Sequence, residues 1–349
     1  MAEQIGVSMR QATPVVNVMT SCGGPDSDIA QVLIKSLSLT QPNDRINFWF
    51  FYLDVPDTTL AVLKSYCDSL GNVRFHPVQV QEAEAFDELR VLGGKPDAER
   101  FLWFMAHRYL PAKLDRVLYI DALDAIAVDN IRPFLFQSLG GKYVAACREG
   151  HLFTRHPLPS KPPAIEAFRN GESLDGLSRM SRGLFNSGTM VINLKKMRKD
   201  GLDIEFYART ARWAAQEMGL SFGDQGLFSL THGSNFKRAA DRYNYRFFAA
   251  RAATSPIVPG IVHFVGHIRK PFRLCFTPEQ ETAILGHLAR HDIKYLSLPG
   301  KQQVWPHYFA HYRAWWDICK TTPVHDRIAA PAQKAATEMV ERMRPRAGP

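Results

Sequence analysis

Apolar residues along this chain fall into short continuous runs that alternate with segments of helical spacing. Val15 to Thr20 (VVNVMT) is a β-prone run, followed by the turn formers Ser21-Cys22-Gly23-Gly24-Pro25-Asp26. From Asp28 to Leu39, apolar residues at Ile29, Val32, Leu33 and Leu37 keep to one helical face. Ile46 to Leu53 (INFWFFYL) is an aromatic and β-branched run bounded by Asp44 and by Asp54 with Pro56, the pattern of a strand buried on both faces. Thr58 to Leu70 predicts a helix and Asn72 to Val80 a strand. Such alternation predicts an α/β fold, a parallel sheet covered by helices.

Further along, Ala98 to Tyr109 predicts a helix closed by Pro111, and Arg116 to Ile120 (RVLYI) a strand that runs into Asp121-Ala122-Leu123-Asp124. Carboxylates at a strand's carboxyl end stand where open α/β sheets bind ligands. Tyr143 to Cys147 predicts a strand, and Glu149 to Arg182, rich in Pro, Ser, Gly and basic residues, a long surface excursion able to cover a site. Met190 to Leu194 (MVINL) predicts a strand, Ile204 to Met218 a helix, and Ile261 to Phe264 a last strand before Gly266. Beyond Lys301, Trp305, Tyr308, Tyr312, Trp315 and Trp316 crowd a short helical region, and from Lys320 the chain is Ala-rich and basic. The expected organisation is a catalytic domain over residues 14–300 and a C-terminal aromatic and basic helical extension over 301–349.

Composition narrows the class. Of 349 residues, 46% are hydrophobic and 22% charged, enough apolar material for a substantial core, which excludes intrinsic disorder. No apolar run approaches the roughly 18 residues of a spanning helix. Met1 to Val18 carries Glu3 and Arg10 and does not read as a secretory signal, so a cytoplasmic location is expected. The five cysteines, Cys22, Cys67, Cys147, Cys275 and Cys319, are widely spread and form no C-x-x-C pair, as free core thiols do. A net charge of +9 favours anionic partners: nucleic acid, acidic lipid or phosphorylated small molecules. The basic residues are dispersed and no recognition motif accompanies them, so nucleic acid is set aside.

Four segments place polar groups beside predicted strands: Tyr119 to Asp124, Phe185 to Leu194 (FNSGTMVINL), Phe222 to Gly226 (FGDQG) and His263 to Phe272 (HFVGHIRKPF). Singly, each has an ordinary reading as a cap, a turn or a core histidine. Together and in this order they resemble glycosyltransferase family 8, over about Val15 to Phe272, most specifically through FNSG-x-M-x-INL and H-F-x-G-x-x-x-K-P-F. That resemblance implies the GT-A type nucleotide-diphospho-sugar transferase fold, with a mixed, mostly parallel central sheet flanked by helices. It also implies transfer of a hexosyl group, with retention, from a UDP-sugar to a saccharide or lipid-linked acceptor, with Mn²⁺ or Mg²⁺. Surface-polysaccharide synthesis is an expected setting.

Carried over residue by residue, the resemblance makes Asp121, Asp124 and His263 the metal ligands. Hard carboxylate oxygens with one imidazole suit such an ion, which meets the charge on the departing diphosphate. Lys270 and Gly266 are expected at the diphosphate, and Asn186, Ser187, Asp224 and Gln225 at the donor sugar, with Gln225 near the anomeric carbon. Arg100 is the expected donor-contacting arginine, although counting back from Pro111 lands on Trp103, and Asp26 is the expected reader of the uracil base.

The chain departs from the family pattern in places. The usual second metal carboxylate falls on Leu123, so a one-residue bulge is expected to turn Asp124 into the site. The glycine-to-lysine spacing is one residue long, leaving Arg269 and Lys270 as joint candidates. Gly226 stands where a second acid of an Asp-Gln-Asp triplet is usual. Leu123 and Gly226 keep open a catalytically degenerate sugar-nucleotide-binding protein of the same fold. Gln225 is a poor nucleophile, which favours same-face transfer over double displacement. The aromatic segment with the basic tail (Lys320, Arg327, Lys334, Arg342, Arg344, Arg346) raises peripheral contact with an anionic membrane, against a simple packed helix.

Overall fold

A computed structural model of the protein describes residues 14–149, 185–217, 219–232, 236–246 and 256–343. The alternating runs at the start become β1 (Val15–Ser21), α1 (Ala30–Thr40), β2 (Arg45–Tyr52), α2 (Asp57–Ser69) and β3 (Val73–Gln79). They join β4 (Arg116–Ile120), β6 (Val144–Arg148), β7 (Phe185–Asn193) and β8 (Phe236–Arg238) in a seven-stranded sheet of order β3-β2-β1-β4-β7-β6-β8. β1, β2, β3 and β4 are parallel, with Val16 opposite Ile46 and Val18 opposite Leu118, whereas β7 runs antiparallel to both β4 and β6. The expected mixed, mostly parallel sheet flanked by helices is the one observed.

Each face of the sheet buries its own core. Ile46, Phe48 and Phe50 pack with Leu33, Ile34 and Leu37 of α1 and Leu63 of α2. Met19, Phe51 and Tyr119 face the opposite layer, built from Phe86 and Leu89 of α3 (Ala83–Gly93), Phe101 to Met105, and Tyr207 of α4 (Ile204–Arg212). Both faces of β2 are therefore covered, as its unbroken apolar run predicts, but Asn47 and Trp49 are only partly buried.

Several elements differ from the sequence expectation. The segment expected as one helix from Ala98 is a 3-10 helix over Glu99–Met105 followed by a single α-turn, Ala106–Tyr109. The strand expected at Met190 begins five residues earlier, so the FNSG motif is part of β7 itself. The helix expected to reach Met218 closes as α at Arg212 and continues through a π-turn, Trp213–Glu217. Apart from Glu149, the expected surface excursion lies outside the described residues.

After α5 (Asp224–His232) and β9 (Ile261–His263), the chain forms α6 (Pro278–Arg290), the β10–β11 hairpin (Leu296–Leu298, Gln302–Val304), α7 (Phe309–Cys319) and α8 (His325–Arg342). α6 starts on a capping box, the Thr277 side chain accepting from the Gln280 backbone and the Gln280 side chain from the Thr277 backbone. These helices share a third core with Ile29 and Val32 beside α1 and with Val262 and Phe264 around β9. Residues of 301–343 thus pack on the sheet domain itself. Tyr308, Tyr312, Trp315 and Trp316 are buried there, and Trp305 is partly buried against the same core. No helix among the described residues is long and apolar enough to cross a membrane.

Because Ile328 of α8 is only 5% exposed within this core, Ile328→Ala should lower the unfolding free energy by roughly 2–4 kcal/mol in chemical denaturation. Lys334→Ala on the solvent face should leave it unchanged; equal midpoints for both variants would show that α8 contributes nothing to the core.

Candidate active site

The carboxyl ends of β1 and β4 and the amino end of antiparallel β7 meet at one edge of the sheet, the geometry in which α/β folds open a crevice. A cavity of about 670 Å³ lies there, within the range of small-molecule sites. Its walls include Ser21 to Gly23 after β1, Asp121 to Asp124 after β4, Asn186 to Gly188 of β7, Gly223 to Gly226 at the start of α5, and His263, Gly266 and Lys270. A larger cavity, about 860 Å³, lies among α6, α8 and the β10–β11 hairpin, but it gathers no comparable carboxylate–imidazole cluster.

Asp121, Asp124 and His263 converge, with one ligating atom from each lying within 4.8 Å of the others. His263 Nε2 stands 3.4 Å from Asp121 Oδ2 and 3.6 Å from Asp124 Oδ1. Asp124 enters by a route other than the expected bulge. β4 ends at Ile120, residues Asp121 to Asp124 form a turn, and β5 (Ala125–Ala127) then pairs antiparallel with β9, setting Ala125 opposite His263. Leu123, at the position usual for the second acid, is partly buried: it lines the pocket and packs against both adjoining cores.

Two features fit this cluster to a cation. His263 is fully buried, and its Nε2 has no hydrogen-bond partner although two carboxylates face it. Gly188 also leaves the space open: a Cβ there would fall 2.7 Å from His263 Nε2 and 2.8 Å from Asp121 Oδ2, and against His263 Cε1. Tyr119 donates to Asp121 Oδ1 at 3.0 Å; burial holds its phenol well above the usual range, so it stays a donor. The Lys270 ammonium pairs with Asp124 and donates to the Phe264 carbonyl at 3.1 Å. Burial pushes Lys270 down to about 8, helped by Arg100 and opposed by Asp121.

At the other end of the pocket, Asp224 is buried, accepts from Trp103 Nε1 at 3.0 Å, and is raised above the usual carboxyl range by that burial, against Ser187, Arg100 and Trp103. Gln225 Oε1 accepts from the Ser187 backbone at 3.3 Å. Arg100 also lines the pocket, held by Asp97 at 2.8 and 2.7 Å. The 3-10 form of this segment explains why Arg100 and Trp103 compete in the sequence. Residues three apart eclipse in a 3-10 helix, so both side chains face Asp224. Lys95, which the sequence did not single out, lines the same wall, lowered by burial and by neighbouring Arg100.

Other expected residues are placed elsewhere. Asp26 is not among the pocket-lining residues; it pairs with Arg273 at 2.9 Å and Arg327 at 3.4 Å. Arg269 turns away to bond Gln302, leaving Lys270 as the member of that pair that faces the pocket. The Asn186 amide is engaged by the protein, Oδ1 accepting from Asn244 and Gly188 and Nδ2 donating to Glu149. Asn244 and Glu149 carry no motif of their own, and no local pattern marks either.

Gly188→Ala should abolish stabilisation of the protein by Mn²⁺ in thermal denaturation, since the new methyl occupies the space between His263 and Asp121; unchanged stabilisation would place the ion elsewhere. Asp224→Asn, which keeps an acceptor for Trp103 and removes a buried charge, should raise the melting temperature at pH 7. The raised native-state pKa means that wild type loses stability as pH rises from the unfolded-state value through the native one. The advantage of the Asn variant should therefore shrink as pH falls toward 4, and a constant difference would show that Asp224 is not titrating in that range.

No curated protein matches the chain by sequence. Among solved structures, the galactosyltransferase LgtC in complex with donor and acceptor sugar analogues superposes with a TM-score of 0.52 at 19% identity, over 74% of this chain and 89% of that one. The WbbM bifunctional glycosyltransferase gives 0.57 at 17% identity, over 94% of this chain and 52% of that one. The glycosyltransferase GlyE of Streptococcus pneumoniae TIGR4 gives 0.54 at 15% identity, over 94% and 64%. At these identities the likeness establishes the fold, which is that of the GT-A glycosyltransferases. The family assignment comes from the sequence model of glycosyl transferase family 8, which matches residues 27–273, and with more than half of its length matched, this chain belongs to that family.

Proposed function

We propose that the protein is a retaining hexosyltransferase that moves a sugar from a UDP-sugar to a saccharide or lipid-linked acceptor. Membership of the glycosyltransferase family supports sugar transfer as such. The observation that carries the finer reading is the convergence of Asp121, Asp124 and His263 at the carboxyl edge of the sheet, around an imidazole nitrogen without a protein partner. These residues would hold Mn²⁺ or Mg²⁺, which when bound supplies Lewis-acid charge against the diphosphate leaving group.

The chain's own groups divide the remaining work. Lys270 sets an ammonium beside the metal carboxylates, available to a phosphate oxygen, and Gly266, at φ 75°, gives a turn that other residues enter only under strain. Gln225, Ser187, Asp224 and Arg100 wall the end where the hexose is proposed to lie. Asp224 is bonded to Trp103, and Gln225 is no nucleophile, so neither favours a covalent intermediate. Same-face transfer, in which the leaving phosphate takes the acceptor's proton, needs only that the reactants be held in place. Asp124 takes up the role that Leu123 cannot fill, which supports the enzyme over a non-catalytic binding protein. A cytoplasmic site of action accords with five unpaired cysteines, and with Tyr308, Tyr312, Trp315 and Trp316 buried, contact with an anionic membrane face rests on partly buried Trp305 and exposed basic residues such as Lys320 and Lys334.

In a thermal-shift panel, UDP-hexoses should stabilise the protein only when Mn²⁺ is present, and GDP- and ADP-sugars should not. Asp121→Asn should lower metal-dependent hydrolysis of the responsive UDP-sugar by about 10²- to 10³-fold. Stabilisation by another nucleotide without metal, or full hydrolysis by the variant, would overturn the assignment.

A further inference from the structure

We infer that Asn244, oriented through Asn186 by the buried carboxylate of Glu149, is a positioning residue that fixes the His263 ring with its proton on Nδ1 and its Nε2 lone pair aimed between Asp121 and Asp124. The inference rests on the proposed metal site and assigns it an outer layer in which Asn186 belongs to the FNSG segment while Asn244 and Glu149 are marked by no sequence motif.

The argument is one of donors and acceptors. The Asn186 amide NH₂ donates to Glu149 Oε2 at 2.8 Å. Asn186 Oδ1 then points the other way, where it accepts from the Gly188 backbone N–H at 3.2 Å and from Asn244 Nδ2 at 2.8 Å. A backbone N–H only donates, so the orientation of Asn186 is fixed twice, from two directions. Asn244 has its NH₂ committed to Asn186, which leaves Oδ1 facing His263 Nδ1 at 3.0 Å. That ring nitrogen must therefore carry the proton, and in the neutral imidazole the other nitrogen is an acceptor.

Burial removes water as an alternative partner. Glu149, Asn186, Asn244 and His263 are all at most 4% exposed. Arg246, equally buried, stands 4.0 Å from Glu149 and supplies a counter-charge. The backbone holds the register: His263 N–H donates to the Tyr245 carbonyl and Tyr245 N–H to the Ile261 carbonyl, both at 2.9 Å. Asn244 is thus tied beside His263 by main-chain bonds. An imidazole lone pair and two carboxylates pointed at one space repel one another until a cation enters, which is what a preformed metal site requires.

The test uses the full chain labelled with ¹⁵N-histidine, the His263 signals being assigned by their loss in His263→Gln. Without metal, two-bond ¹H–¹⁵N spectra should show wild-type His263 protonated at Nδ1 and bare at Nε2. A ring carrying a proton on Nε2 overturns the inference on wild type alone, whatever the variants do. Asn244→Ala should shift the ring toward the Nε2–H form and weaken Mn²⁺ binding, read as loss of the free-ion EPR signal, by about 10- to 100-fold. Glu149→Gln keeps the volume but lets the amide chain reverse, so it should give a mixture of tautomers and a smaller loss of affinity. If both variants keep the wild-type tautomer and affinity, the relay has no such role. If wild type binds no Mn²⁺ while its tautomer is as expected, the metal reading fails and the positioning by Asn244 stands.

Discussion

The antiparallel pairing of β5 with β9 is the constraint on which the candidate site depends. It joins a turn that follows the fourth strand to a segment more than a hundred residues later, and it sets Ala125 opposite His263. Asp124 and the imidazole are brought together by that register. Three electron-rich ligands then face one small space, an arrangement that costs free energy in the folded protein unless a cation or an ammonium offsets it. Lys270 partly does so through Asp124, and Gly188 keeps the space from being filled by a side chain.

A second cost is carried on the opposite wall. Asp224 is buried with a raised pKa, and its partner Trp103 is presented by a 3-10 segment whose hydrogen bonding is poorer than that of an α-helix. In exchange, that tighter winding places Arg100 on the same face as Trp103. The surrounding aromatic core of Phe101, Phe104, Tyr207 and Phe228 holds the segment in place.

The C-terminal helices are part of the same mechanical unit. Arg327 of α8 pairs with Asp28 and Asp26, and Arg273 with Asp26, so the loop after β1 is tied down from the far end of the chain. That loop supplies Cys22 and Gly23 to the pocket wall. Of the aromatic residues that look, in sequence, like a membrane-facing cluster, Tyr308, Tyr312, Trp315 and Trp316 are buried in the third core and Trp305 is partly buried, stacked on Tyr295.

The order of the first elements, the parallel sheet and the carboxylates at the end of β4 were legible in the sequence, because unbroken β-branched runs and one-face periodicity are local signals. So were His263, Lys270 and the FNSG segment, which lie beside predicted strands. Helices α3 and α6 carry ordinary local signals as well, Phe86 and Leu89 three apart in one and Thr277-Pro278 with Gln280 in the other. Tertiary structure alone decided that Asp124 meets His263 while Leu123 beside it packs partly against two cores, that Lys270 rather than Arg269 faces the pocket, that Asp26 pairs with Arg273 and Arg327, and that Asn244 stands behind His263. Each of these depends on which residues from distant segments become neighbours, and a period of two or 3.6 residues along one segment carries no information about what packs against it.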